Sequence, residues 1–490
     1  MMNRDPRFIE ALLPILILVM LLSLNVLFFD DPLSGSNQIA LLLAATIAGI
    51  IVRRNGQKWE VTSEKVVHTI GSAMPAMLIL LLIGSLAGTW LISGVVPALI
   101  YYGLDVIQPS LFLVTAVVVC AVVSVATGSS WSTIATIGVA LLGMGKAIGM
   151  NEALVAGAII SGAYFGDKIS PLSDTTNLAS AMAGTGLFTH VRYMLYTTVP
   201  SMILTLLIFL IIGLNYDFSR AAIDVTEVKA AIGSSFNLSP WLFLVPVILM
   251  AVILLKVPPI PSLMTGTLLG ALFAIIFQPG IIRNIAGTSH DYVDASYISS
   301  MKAMFGEIRI ITAEASVNEL FSTGGMRGML DTVWLILSAM VFGGIMESGG
   351  LLVRLTRPIL HWADSTGSLV LSTVCSCIFF NVTASDQYLA IVVPGRMFRK
   401  SFEDKGLKPE VLSRSLEDSG TMTSVLIPWN TCGATQSKVL GVATFSYLPY
   451  CFFNLISPVM SVLFAYLNIR IRRISPNAVQ HESLSAKSAL

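Results

Sequence analysis

The chain gathers polar side chains inside an apolar stretch at Gly166-Asp167-Lys168-Ile169-Ser170-Pro171-Leu172-Ser173-Asp174-Thr175-Thr176-Asn177. The apolar run Leu154–Phe165 precedes it and small apolar residues follow it. Pro171 lacks a backbone N–H and breaks a helix. Carbonyls freed by the break can face a cation, and Ser173, Asp174, Thr175 and Asn177 add side-chain oxygens. A hard cation such as Na+ prefers oxygen donors, as calcium and magnesium do. A second stretch, Ser424-Val425-Leu426-Ile427-Pro428-Trp429-Asn430-Thr431-Cys432-Gly433, has the same proline break and an amide beside a hydroxyl. It lacks the carboxylate, with Asn430 in the place of Asp174. Two further elements, Thr127 to Ser130 and Asn381 to Asp386, read as openings of short helices, whose first N–H groups have no intrahelical partner.

Ionisable groups inside a membrane are costly, by about 2.5 kcal/mol or more for a central Asp on insertion scales, so each needs a reason. The expected buried carboxylates are Asp167, Asp174, Asp386 and Asp418. Glu347 lies near a helix end and reads as structural. Asp167 has two readings, an ion ligand or a partner of Lys168. A carboxylate in low dielectric holds its proton more tightly, so a proton and Na+ can compete for it near neutral pH. The expectation is that Asp174 and Asp386 are the competing pair, with Asp167 assisting.

The elements that position these residues lie in a bilayer. Of 490 residues, 55% are hydrophobic and 12% charged, against about 25% charged in a soluble domain. Mean hydropathy is +0.80. Apolar segments of spanning length recur at 8–29, 38–52, 75–100, 109–126, 128–145, 152–180, 189–215, 239–256, 261–278, 330–350, 366–381, 383–400, 410–432 and 444–469. Stretches 56–72 and 279–329 read as interfacial. Segments 128–145 and 383–400 either cross or re-enter. The first apolar run is longer than a signal-peptide core and reads as a retained helix. Arg4, Arg7, Arg53, Arg54, Lys58, Lys65, Arg192, Lys256, Arg354, Arg357, the 396–414 cluster and Arg470, Arg472 and Arg473 fall on one side. That asymmetry puts both termini in the cytoplasm, with an even number of crossings near fourteen.

The two halves resemble each other at a shift of 255–256 residues. Gly88, Ser93 and Gly94 correspond to Gly343, Ser348 and Gly349; Thr127-Gly128-Ser129-Ser130 to Thr383-Ala384-Ser385-Asp386; and Asp174-Thr175 to Asn430-Thr431. An odd number of segments separates the copies, so the second is expected upside down, as in alternating-access transporters. The expected fold is all-α and polytopic, with two inverted repeats, broken helices and re-entrant hairpins. The expected divisions are 1–37, a cytoplasmic stub and first helix; 38–215, repeat 1; 216–260, a linker with one helix; 261–470, repeat 2; and 471–490, a cytoplasmic tail.

The run FGDKISPLSDTTNLAS (165–180), with ATGSSWSTIATIG (126–138) before it, resembles the signature of the NhaC family of Na+/H+ antiporters. Length and hydropathy are similar throughout. The resemblance places the chain in the ion-transporter superfamily and implies exchange of Na+ (or Li+ or K+) for H+ across a bacterial inner membrane. It implies an ion site of Asp167, Ser170, Ser173, Asp174, Thr175, Thr176 and Asn177, to which the repeat adds Ser129, Ser130, Ser385, Asp386, Asn430 and Thr431. The expected Na+ ligands are Asp174, Asp386, Asn177 and Thr175. Relatives that exchange malate and lactate supply the alternative, a small organic acid held near Ser129, Ser130, Ser385 or Lys168.

Other classes fit less well. There is no HExxH, P-loop or dinucleotide fingerprint, so neither an intramembrane enzyme nor an ATP-driven pump is indicated, and no cofactor is expected. A net charge of +1 gives no sign of nucleic-acid binding. The five cysteines form no CxxC pair, Cys375 and Cys377 read as small core residues, and the five histidines, which mostly fall in loops, are given no role. The expected partners are Na+, H+, the lipid bilayer and a second copy of the chain.

Overall fold

Without water to bond the backbone, apolar segments must close their hydrogen bonds internally, and helices do so. The computed structural model describes residues 4–29, 34–106, 108–217, 225–287, 289–312, 318, 321–360 and 364–474, which are predominantly helical. The first half contains α1 (Phe8–Phe28), α2 (Ser36–Arg54), α3 (Trp59–Ile92), α4 (Val95–Val106) and α5 (Phe112–Thr127). Next, α6 (Ser130–Thr133) runs through a π-helical turn, Ile134–Gly138, into α7 (Val139–Ala147), and α8 (Glu152–Ile169), α9 (Asp174–Ala183) and α10 (Leu187–Leu214) follow. The middle holds α11 (Val225–Ser235), α12 (Leu244–Leu254), α13 (Pro259–Phe277), α14 (Pro279–Ala286) and α15 (Tyr292–Phe305). It ends in a two-stranded antiparallel hairpin, β1 (Ile308–Arg309) with β2 (Ser322–Thr323). The second half contains α16 (Leu330–Ser348), α17 (Leu351–Leu360), α18 (Thr366–Thr383), α19 (Gln387–Asp404) and α20 (Pro409–Leu416). A π-helical turn, Glu417–Thr421, joins α20 to α21 (Met422–Ser424), before α22 (Thr431–Leu440), α23 (Thr444–Tyr447) and α24 (Phe452–Tyr466).

Among the described residues, 8 helices are long and apolar enough to cross a membrane, or up to 10 if two bent pairs each count as one. The expected fourteen segments exceed this because several, such as α8 and α19, are interrupted or carry several charges. Two boundaries differ from expectation. Stretch 56–72 is not a separate interfacial element, because α3 runs unbroken for 34 residues from Trp59. The apolar run 75–100 instead breaks at Ser93–Gly94, where Gly94 takes φ +82°.

The repeat is sharper in the structure than in the sequence. Ser130 and Gln387, Ala147 and Asp404, Glu152 and Pro409, Asp174 and Thr431, Ala183 and Leu440, and Leu187 and Thr444 are matching helix ends, each pair 257 residues apart. Upstream, Ile92 with Ser348 and Val95 with Leu351 differ by 256. The expected offset of 255–256 is therefore corrected by one residue at the polar elements. Asp174 is equivalent to Thr431, Ser173 to Asn430, and Ser129 to Asp386. Gly128 (φ +68°) and Ser385 (φ +59°) are the matching left-handed residues. Sequence matching misaligned them because it paired like residues, while the backbone pairs like conformations.

The 28-residue α10 fixes two faces, since it is about 42 Å long at 1.5 Å per residue. Near its start, the Tyr193 hydroxyl donates to the Arg470 carbonyl at 2.9 Å. Strand-like pairing of Leu407 with Arg473 holds the 405–408 loop there too. Just beyond its end, Tyr216 Oη accepts from the Asn151 N–H at 2.8 Å. The equivalent loops 148–151 and 405–408 thus lie at opposite ends of α10. Packing is crossed between the halves: α9 lies on α19, and α22 lies on the 134–138 turn and α7.

Candidate ion site

The site begins with the close approach of α5 and α8. A Cβ at Gly162 would stand 2.2 Å from the Val117 carbonyl oxygen, and one at Gly166 2.4 Å from that of Ala121. Small residues four apart let helix backbones meet inside a membrane. The Ser124 hydroxyl adds a bond to the Ala163 carbonyl at 2.6 Å. This contact delivers Asp167, 7% exposed, to the start of α6. Its Oδ2 accepts from the Ser130 hydroxyl at 2.7 Å and from the Ser130 N–H at 3.2 Å. Ser129 caps α6, its Oγ accepting from the Ser132 N–H at 3.2 Å. The turn before it needs Gly128, because a Cβ there would lie 2.5 Å from the Leu172 Cβ.

The helix breaks over 170–173, as the proline requires. The Ser170 hydroxyl donates to the Val125 carbonyl at 2.9 Å, tying the break to α5. The Asn177 amide donates to the carbonyls of Ser173 (2.8 Å) and Pro171 (3.1 Å). It therefore clamps the break, and it occupies carbonyls that the sequence left free for a cation. Thr176 donates to the Lys168 carbonyl at 3.0 Å. The Ser173 and Thr175 hydroxyls lie 3.1 Å apart, and Thr175 donates to Glu417 Oε1 at 3.0 Å. That last bond joins the two halves.

Asp174 is not buried, contrary to expectation. It is exposed, as are Pro171, Leu172 and Asn177. It occupies the first position of α9, where the chain leaves the break, and its neighbours Ser173 and Thr175 take the inward positions.

In the second half, Asp386 is 3% exposed and caps α19, its Oδ1 accepting from the Leu389 N–H at 2.9 Å. Ser385 holds the strained turn before it, and its buried hydroxyl has no hydrogen-bond partner among the described residues. The Thr431 N–H donates to the Ser385 carbonyl at 3.0 Å, which brings the start of α22 against that turn. Asn430 caps α22 through the Cys432 N–H at 3.0 Å and donates to Asn381 Oδ1 at 3.1 Å. Asn381 in turn donates to the Gly420 carbonyl at 2.8 Å and to Thr423 Oγ1 at 3.0 Å. The Thr175–Glu417 bond and the packing of α9 on α19 bring the two broken pairs against each other.

Lys168 is not the partner of Asp167. Its Nζ lies 2.6 Å from Asp418 Oδ1, both side chains fully buried, and donates to Ser457 Oγ at 2.7 Å. Asp418 Oδ2 accepts from Thr197 at 2.9 Å. Glu347 pairs with Lys65 at 2.8 Å, in keeping with a structural role. Among the ion pairs of the described residues, none involves Asp167, Asp174 or Asp386. A cavity of about 610 Å³, lined in part by Thr136, Lys146, Ser437 and Lys438, opens beside α22 and the 134–138 turn. It lies on the face that holds the 148–151 loop.

A sequence profile of the Na+/H+ antiporter family matches residues 162–469, from the α5–α8 contact to beyond α24. The chain belongs to this family. It is 33% identical to the malate-2H+/Na+-lactate antiporter of Bacillus subtilis over 98% of this chain and 99% of that protein. It is 35% identical to the Na+/H+ antiporter NhaC of Alkalihalophilus pseudofirmus over 88% and 90% of the two chains. It is 34% identical to the NhaC of Bacillus subtilis over 88% and 92%. The relatives are transporters, and this family member is a multi-pass membrane protein, not an enzyme.

Sequence reading missed three buried groups in this antiporter. Glu417 is fully buried beside Asp418 and meets Thr175. Arg414 is fully buried one turn earlier. His190, given no role from the sequence, is fully buried in α10, its Nδ1 2.7 Å from Ser413 Oγ. The run Arg414 to Asp418 inside segment 410–432 was a signal, since two acids and an arginine in a spanning segment demand inward positions.

Proposed function

We propose that this protein is a secondary antiporter that exchanges Na+ for H+ across the inner membrane by alternating access. The observation that carries the reading is Asp167: a buried carboxylate without a cationic partner among the described residues, held by Ser130 at the start of α6. Such a group in low dielectric must be neutralised, either by a proton or by a cation. Asp386, buried at the position equivalent to Ser129, puts a second carboxylate at the start of the matching helix α19. Asp174 stands at the mouth, where ions enter or leave. Nearby oxygens of Ser130, Ser173, Thr175 and Ser385 are available to a desolvated Na+.

Alternating access is supported by the crossed packing and by the equivalent loops at opposite ends of α10, which is the arrangement of inverted repeats. The face at the start of α10 gathers Arg399, Lys405, Lys408, Arg470, Arg472 and Arg473, and the positive-inside rule makes it cytoplasmic. The cavity beside α22 then opens outward.

The organic-acid reading keeps one supporting observation. The starts of α19 and α22 meet where the Thr431 N–H donates to the Ser385 carbonyl, and helix starts favour anions. Everted vesicles decide between the two. Na+-driven proton movement without any organic acid, lost in D167N and D386N, is expected. Exchange of labelled malate for lactate with no Na+/H+ exchange in their absence would overturn the cation reading.

A further inference from the structure

One helix face joins the outer cavity to Asp167. Where α6 runs through the π-helical turn into α7, the cavity is lined by Ala135, Thr136, Val139, Leu142, Gly143 and Lys146. Residues spaced three and four apart share one face of a helix. Toward the start of α6 the same face continues through Ser132 to Ser129, at the tip where Ser130 holds Asp167. From Thr136 to Ser130 is about 9 Å along the axis at 1.5 Å per residue. Thr136, Ser132 and Asp167 keep 6%, 5% and 7% of their surface exposed, while Thr133 beside them keeps none. Helix α22 packs over the turn from the second half, which leaves the passage narrow.

The protons on this face are already committed. Thr136 donates to the Ser132 carbonyl at 2.7 Å, and Ser130 donates to Asp167 Oδ2 at 2.7 Å. A hydroxyl has one proton and two acceptor lone pairs, so acceptor oxygen is what these side chains still offer. The π-helical turn adds to it. The Val139 N–H reaches back to the Ile134 carbonyl, so the Ala135 carbonyl on the cavity wall loses the donor that a regular α-helix would give it. Acceptor oxygens suit a hard cation and repel an anion. The cavity rim makes no such choice. Lys146 pairs with Glu152 at 2.9 Å, and the exposed Lys438 shares the wall with exposed Glu307 and Asp331. Selection by sign of charge therefore falls to the deeper Thr136.

We propose that Na+ passes between the outer cavity and Asp167 along this face, and that Thr136 is the residue that admits a cation and turns an anion away. The proposal rests on the antiport reading above and adds to it the outer access route and its selecting residue. Entering Na+ exchanges hydration water for Thr136 Oγ1 and the Ala135 carbonyl, then passes Ser132 and meets Asp167. A route for an organic acid would instead present free N–H groups or an unpaired cation at this depth.

The test uses the full-length chain in right-side-out and everted vesicles, with the exposed Cys375 removed by C375S. A cationic, membrane-impermeant thiosulfonate added outside should modify T136C, and S132C more slowly, and block Na+-driven proton movement. Na+ should slow both modifications. An anionic thiosulfonate of the same size should react roughly tenfold more slowly. T136V keeps the shape and loses the oxygen. It should raise the half-saturating Na+ at the outer face by roughly tenfold, the loss of one modest contact, and leave that at the cytoplasmic face unchanged. T136S should restore it, and labelling of S132C decides the matter if T136V fails to fold. T136C and S132C that stay unmodified from outside while S437C reacts, equal rates with the two reagents, or a T136V effect of the same size at both faces would overturn the proposal. Na+-slowed modification of T136C in a chain without Na+-driven proton movement would keep the route and remove the antiport reading.

Discussion

Lys168 to Met should be among the most damaging single changes in the molecule, and a second change should repair it. Lys168 Nζ meets Asp418 at 2.6 Å and Ser457 at 2.7 Å, and it lies 5.4 Å from the Phe453 ring centroid, with both charged side chains fully buried. Removing the cation leaves Asp418 charged and buried, with Thr197 as its remaining hydrogen-bond partner. Breaking a buried pair in this way costs about 3–5 kcal/mol. At about 1.4 kcal/mol per factor of ten, that moves the folding ratio by roughly two to three and a half orders of magnitude. Replacing both partners is different, because a buried pair exchanged for apolar groups is often neutral. The double variant K168M/D418L should therefore melt closer to the wild type than either single variant, with a coupling of at least ~3 kcal/mol. Melting and equilibrium unfolding of purified protein in one detergent would measure this, and vesicle flux would then report on the folded double variant. If Lys168 only braces the repeats, the double variant keeps Na+-driven proton movement. Additive single and double variants, or K168M within about 1 kcal/mol of the wild type, would refute the reasoning.

Burial ranks the three site aspartates. D167N and D386N should each reduce Na+-driven proton flux in vesicles by about 100-fold or more, while exposed D174N should cost about tenfold or less, following the range for lost charge-stabilising groups. Two left-handed glycines form a matched control. G128A adds a clash with Leu172 to the backbone strain and should lower stability by about 2–4 kcal/mol, whereas G441A, with open space at φ +67°, should cost only about 1–2 kcal/mol in melting experiments. T175V should lose about 1–3 kcal/mol by orphaning one Glu417 oxygen, read as a lower unfolding midpoint. Sidedness is open to cysteine labelling: S437C in the outer cavity should react with a membrane-impermeant maleimide in intact cells, and K405C only in everted vesicles.

The sequence by itself determined the class of molecule and the location of its polar breaks. Excess apolar surface leaves no soluble alternative, and Pro171 and Pro428 end helices wherever they are placed, so the breaks at 170–173 and 425–430 were legible. Helix caps at Ser129, Asp386 and Asn430 follow from residue type. Partner choice was not local. Lys168 sits next to Asp167 in the chain, but consecutive helical residues point about 100° apart, so Lys168 reaches Asp418 and Asp167 reaches Ser130. The same rotation left Asp174 outside and turned Thr175 toward Glu417. The repeat offset was blurred because residues had drifted while the backbone had not, and only matching helix ends restored the 257-residue register. Tertiary structure therefore decided which carboxylates stand alone, because ion pairing inside a membrane depends on direction across helices and not on nearness along the chain.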